Sequence, residues 1–230
     1  MVKFTYLAID LLCVAFPLLA SFEPRIKFWK KWPALFLGIG AMMLCFLPWD
    51  VIFTTQAIWG FNEKYLIGIN FLGLPVEECL FFLFIPYSCM FLYEVMRHFI
   101  RKDVLGSSTR TIAAFLIGIF VFIGVMHFER SYTSITFFCT AILLYHLAFL
   151  RKIRWLGRFF AGYCVSLIPF FLVNGILTGS WIEEPIVWYN NAENTCIRIG
   201  TIPIEDGAYL MLMLLIVTYV YEQRLGRSEA

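Results

Sequence analysis

Leu74-Pro75-Val76-Glu77-Glu78 is the stretch on which the fold turns, because it returns 128 residues later as Ile202-Pro203-Ile204-Glu205-Asp206. Each copy opens an apolar run, and each run closes on the same pair, Tyr93-Glu94 and Tyr221-Glu222, at the same offset. Upstream, Tyr6, Ile9 and Cys13 match Tyr132, Ile135 and Cys139 at an offset of 126. Asp50-Val51-Ile52-Phe53-Thr54 resembles Asn174-Gly175-Ile176-Leu177-Thr178 at an offset of 124, a drift that small loop insertions produce. Apolar residues match easily by chance; a Pro, two acids, a Tyr and a Glu at one offset do not. The chain is an internal repeat.

The surrounding composition says where such a repeat resides. Of 230 residues 61% are hydrophobic and 15% charged, against ~45–50% and ~25% in soluble domains, so a soluble chain would lack the polar surface to cover itself. A net charge of +2 leaves no basic footprint for nucleic acid. A spanning helix needs ~20 mostly apolar residues, and seven segments qualify, at about 4–22, 33–53, 75–96, 110–127, 132–150, 156–178 and 203–222. The first has one Lys before it, no small-x-small cleavage site, and Arg25, Lys27, Lys30 and Lys31 after it; it reads as an uncleaved span. The seven Cys form no CxxC pair: six lie in apolar runs and Cys196 in a loop.

Basic residues gather after the first span, after the third (Arg97, Arg101, Lys102, Arg110), after the fifth (Arg151, Lys152, Arg154, Arg158) and after the seventh (Arg224, Arg227). The alternate loops hold one each: Lys64, Arg130 and Arg198. The positive-inside rule therefore puts the N-terminus outside and the C-terminus in the cytoplasm of a multi-pass protein of the cell membrane. The longer outer connections carry Trp59, Trp181, Trp188 and Tyr189, expected at the headgroup level. Four helices separate equivalent elements, so both copies enter the membrane in the same direction. The expected architecture is all-α: residues 1–100 and 131–230 form parallel three-helix repeats about an axis along the membrane normal, and 101–130 a connecting helix.

Between Glu78 and Glu94, and between Asp206 and Glu222, lie 15 residues without formal charge. That is roughly 22 Å of helix, short of a ~30 Å hydrocarbon core, so the first-turn acids sit at the edge of the apolar layer. One explanation is structural: Pro at the first helical position followed by acids suits φ and the helix dipole. The other is functional, because intramembrane carboxylates are costly and face a protein interior. Asp50 and Asn174, at the outer ends of spans two and six, and Asp10 in span one lie on the same side. Alone each reads as a helix-end or interhelical hydrogen-bonding residue; together they suggest a polar floor under an aromatic pocket of Trp49, Phe81, Phe82 and Tyr209. An acid buried among apolar groups beside a second carboxylate keeps its proton near neutral pH and can donate it. Aromatic faces stabilise a developing cation. A polyene dissolved in the membrane suits acid plus aromatics.

The duplicated Pro-x-Glu-Glu/Asp motif at equivalent helix starts resembles the lycopene cyclase domain of the heterodimeric-type carotenoid cyclases, in which two three-helix units are separate chains or fused in one. The resemblance covers nearly the whole chain, in the fused form. It implies redox-neutral cyclisation of the ψ-ends of lycopene to β-ionone rings without a cofactor, with Glu77, Glu78, Glu205 and Asp206 as the candidate acids and bases. It also implies a lipid-dissolved carotenoid substrate and association with other carotenoid enzymes. Asp206 and Asn174 stand where the first copy has Glu78 and Asp50, so the two halves are expected to be unequal.

Other classes fit less well. Every Lys lies at a helix end or in a loop, which removes a retinal Schiff base, and Gly38-x-Gly40 follows no strand, which removes a nucleotide fold. The three His are dispersed and no metal site is expected. A transporter or proton-coupled channel remains the rival of a different class, and a carotenoid end-group hydratase the enzymatic one; few polar residues continue a path from the outer acids to the cytoplasm.

Overall fold

Pro75 and Pro203 set both repeats' key helices in the same way. In a computed structural model describing residues 2–100 and 102–227, the two prolines have identical backbone angles (φ −57°, ψ 141°). They cap α3 (Val76–Phe99) and α7 (Ile204–Arg224), so Pro stands just before the first helical residue rather than on it. Ahead of each lies a short antiparallel hairpin, β2 (Asn70–Phe71) with β3 (Leu74–Pro75), and β5 (Arg198–Ile199) with β6 (Ile202–Pro203). The remaining helices are α1 (Thr5–Ala20), α2 (Trp32–Thr55), α4 (Thr109–Met126), α5 (Ser131–Tyr145, continued by a π-turn over His146–Leu150) and α6 (Leu156–Leu177). All seven are long and apolar enough to cross a membrane, as expected of a multi-pass membrane protein. Arg101, one of the basic loop residues, lies outside the described residues.

Helix α1 packs on α3, and α5 packs on α7 in the same way. The second helices are exchanged: α2 lies mainly against α7 and α6 mainly against α3. Lipid offers no hydrophobic drive between helices, so close approach through small residues carries such contacts. Gly38 shows it, since a Cβ there would stand 2.7 Å from the Val217 carbonyl oxygen. The connector α4 lies on α5.

The two-fold relation is visible where equivalent residues meet. Strands β1 (Trp59–Phe61) and β4 (Val187–Tyr189) pair antiparallel with Gly60 opposite Trp188, positions 128 apart, and the indole lies over the glycine where a Cβ would not fit. Deeper, the Thr218 hydroxyl donates to Met90 Sδ at 3.3 Å, again across one offset. At the far end the exchange is reciprocal: Tyr93 donates to Glu222 Oε1 (2.9 Å) and Tyr221 to Glu94 Oε1 (2.8 Å). Lys31 and Arg227 pair with Glu94, and Arg97 pairs with Glu222 at 2.6 Å. A buried carboxylate left without its cation costs several kcal/mol, about 3–5, so this cluster ties the two halves together.

Candidate active site

At the opposite end from that cluster, α3 and α7 bring Glu78 and Asp206 to one cavity of about 50 Å³. Tyr6, Asp50, Trp59, Phe81, Tyr132, Asn174, Tyr189 and Tyr209 share its walls. Asp50, Phe81, Asn174 and Tyr209 were expected there; Tyr6, Tyr132, Trp59 and Tyr189 were not. The two tyrosines on α1 and α5 are repeat mates, and each reaches the acid of its own repeat. Tyr6 Oη donates to Glu78 Oε2 at 2.5 Å, and Tyr132 Oη donates to Asp206 Oδ1.

Beyond this pair the halves diverge. Asp206 Oδ2 also accepts from Asn174 Nδ2 (2.6 Å) and Tyr189 Oη (3.0 Å), so three neutral donors converge on one carboxyl group. Burial, and then the Asp206 charge, holds the Tyr189 phenol well above its ordinary range, so it stays a donor. Among the described residues Glu78 has only Tyr6 as a side-chain donor, and it lies in electrostatic reach of Asp50, which replaces the amide of Asn174 by a second acid. Asp50 Oδ1 accepts from Trp59 Nε1 at 2.5 Å, while its Oδ2 has no partner among the described residues.

Four expected site residues lie elsewhere. Adjacent helical residues point about 100° apart, so when Glu78 and Asp206 face the cavity their neighbours turn away. Glu77 Oε1 accepts from the Ile67 backbone N–H and Glu205 Oε1 from that of Thr195, both at 2.7 Å. Thr133 adds a second donor to Glu205. These two acids fasten the loop ahead of each hairpin to its helix start. The same turn separates Phe82 from Phe81 and Trp49 from Asp50: Trp49 packs edge-to-face on Tyr209 (centroids 5.3 Å), and Phe82 packs on Phe46, neither lining the cavity.

The outer aromatics also need correction. Trp59 is 5% exposed and hydrogen-bonded to Asp50, and Tyr189 reaches Asp206, so neither serves as a headgroup anchor. Trp181, 76% exposed, keeps the expected position at the surface. The ribbon of β1 and β4 turns the first two inward and roofs the cavity.

The family profile described as lycopene cyclase matches residues 3–96 and again 129–223. The chain belongs to the lycopene cyclase family. The two matches cover both repeats and leave out the whole of α4, which identifies the internal repeat with two copies of the cyclase domain. No curated protein and no solved structure matches the chain. As a lycopene cyclase family member it is an enzyme of carotenoid cyclisation, and the paired acids lie within the two matched regions.

Proposed function

We propose that this enzyme is a lycopene β-cyclase in which the two repeats supply unlike halves of one active site, Glu78 the proton donor and Asp206 the base. The observation that carries the reading is the difference in their hydrogen-bond donors around a shared cavity. Three donors on Asp206 complement an anion. Glu78 and Asp50 lie in mutual reach with no Lys, Arg or His of the described residues lining the cavity, an arrangement that accommodates one negative charge and one proton more readily than two charges.

The steps follow from that polarity. Glu78 delivers its proton to the terminal double bond of the ψ-end, leaving a tertiary cation. The π electrons of the nearby chain double bond attack it, closing the ring and moving the positive charge onto a ring carbon. Asp206 removes a proton from the adjacent ring carbon, and the C–H electrons become the ring alkene. One proton enters and one leaves, with no change of oxidation state, so the reaction is an isomerisation. The faces of Phe81, Trp59 and Tyr209 stand where they would stabilise the cation.

A cavity of about 50 Å³ is smaller than the ~150 Å³ that takes a benzene-sized ring, so the end group enters by parting the aromatic walls. We place the chain in the cytoplasmic membrane with the acids on the outer side, on the strength of the alternating basic loops. Expression in a lycopene-accumulating bacterial host, followed by pigment chromatography, tests the reading. The expected products are β-carotene or its one-ring intermediate, and unchanged lycopene despite verified membrane expression overturns it.

A further inference from the structure

A second cavity, of about 290 Å³ and walled largely by apolar residues, opens sideways between α1 and α6 with α3 as its floor. Helices α1 and α6 both pack on α3 but scarcely touch each other, which leaves the cleft between them. Its rim is exposed to the lipid side at Leu12 (76%) and Phe16 (72%). Ile85, Ser88 and Leu92 line its floor. They lie roughly 10 to 21 Å along the helix from Glu78, at ~1.5 Å per residue. Phe170 lines both this cleft and the cavity that holds the acids, so the two adjoin at that side chain.

The equivalent place over α7, between α5 and the exchanged α2, serves as an internal control. There Trp49 stands where Val173 borders the cleft, Phe46 where Phe170 does, and Ile216 where Ser88 does. Phe46 and Trp49 pack on Tyr209 with centroids 4.8 and 5.3 Å away, and Phe46 is 1% exposed. The space that is open in one half is filled with aromatic rings in the other.

We infer that the cleft between α1 and α6 is the binding subsite for the linear polyene chain of the substrate, which enters from the bilayer past Phe170 while its end group lies between Glu78 and Asp206. This rests on the cyclase reading above. The occupant is a linear, methyl-bearing, apolar, conjugated chain: the cleft is apolar, open at its side, runs along α1 and α3, and shares Phe170 with the acid site. Held in this cleft, the substrate presents one end to the acids at a time. A second ring then requires release and re-entry of the chain in the opposite sense.

The test compares two substrates in proteoliposomes containing the full chain: lycopene, and a shorter acyclic isoprenoid hydrocarbon carrying the same end group but too short to occupy the cleft. Val173→Trp copies the filled half, Ser88→Ile is a smaller intrusion, and Leu172→Trp, directed at lipid and 56% exposed, controls for a new indole on α6. The expected result is a fall of about tenfold or more in the lycopene-to-short-substrate turnover ratio for Val173→Trp. Ser88→Ile should give a smaller fall, and Leu172→Trp the wild-type ratio. If both cleft variants reach wild-type membrane abundance and keep the wild-type ratio, the cleft holds an acyl chain of ordinary lipid and the inference is overturned. Should Val173→Trp fail to accumulate, Ser88→Ile decides alone. Wild-type protein that cyclises neither substrate overturns the cyclase reading itself, and a wild type active on both separates that failure from this one.

Discussion

Replacing Glu77 and Glu78 by Gln, one at a time, sets the two neighbouring acids against each other. Glu77→Gln keeps a side-chain oxygen in place to accept from the Ile67 N–H, now 2.7 Å away. What is lost is the charge assistance, the difference between ~1.5–3 kcal/mol for a charged acceptor and ~1 kcal/mol for a neutral one. The expected effect is therefore about 1 kcal/mol of stability, a drop of some 2–4 °C in unfolding temperature. Cyclisation should stay within about fivefold of wild type, the equivalent of that energy in a barrier. Glu78→Gln keeps an oxygen for Tyr6 to donate to, so the fold is retained, but it has no acidic proton to give. General acid catalysis contributes about 10²–10⁴-fold, so turnover should fall by about three orders of magnitude with little change in unfolding temperature. The assay is initial-rate cyclisation in proteoliposomes normalised to protein abundance, with thermal unfolding in detergent beside it. Retained cyclisation in Glu78→Gln together with loss in a folded Glu77→Gln would refute the assignment of roles.

Three further expectations come from the same geometry. Asn174→Asp restores the symmetry of the repeats and sets a second carboxyl group 2.6 Å from Asp206 in place of a donor; measured turnover should fall at least about a hundredfold, more than in Asn174→Ala. Tyr189→Phe removes one of three donors from Asp206, a loss of about 1 kcal/mol or roughly fivefold in rate that should be visible in kcat and leave unfolding temperature nearly unchanged. Gly38→Val forces a side chain against the Val217 carbonyl, and overpacking of this kind costs about 1–3 kcal/mol, to be read as a lowered unfolding temperature in detergent.

Much of this was legible in the sequence because the relevant signals are local. Pro75-Val76-Glu77-Glu78 and its copy disclosed the repeat, and a run of mostly apolar residues disclosed each helix. The two explanations of the first-turn acids divide between adjacent residues: Glu77 and Glu205 fasten the helix starts, while Glu78 and Asp206 face the cavity, where the proposed chemistry would need them. Helical phase could have separated them, and it also sets Phe82 and Trp49 aside from Phe81 and Asp50. Tyr6 and Tyr132 were visible as repeat mates, yet a tyrosine in an apolar helix carries no mark of its partner. Trp59 and Tyr189 were beyond reach, because only the pairing of β1 with β4, between strands about 130 residues apart, turns them inward. The exchange of α2 and α6 between halves was hidden for the same reason.

That exchange has a consequence for how such a protein comes into being. As the chain emerges from the ribosome, the face of α3 that will lie against α6 has no partner until three more segments have been threaded into the bilayer. The first half is therefore an unfinished object, not a small enzyme awaiting a duplicate. An ancestral single copy would have met the same lack, and could have met it only by pairing with another copy of itself. Two units joined through α4 need not find a mate, and each half can change on its own. The one carboxamide that now faces Asp206, where its counterpart keeps an acid, is a change that an identical pair could not have made on one side alone.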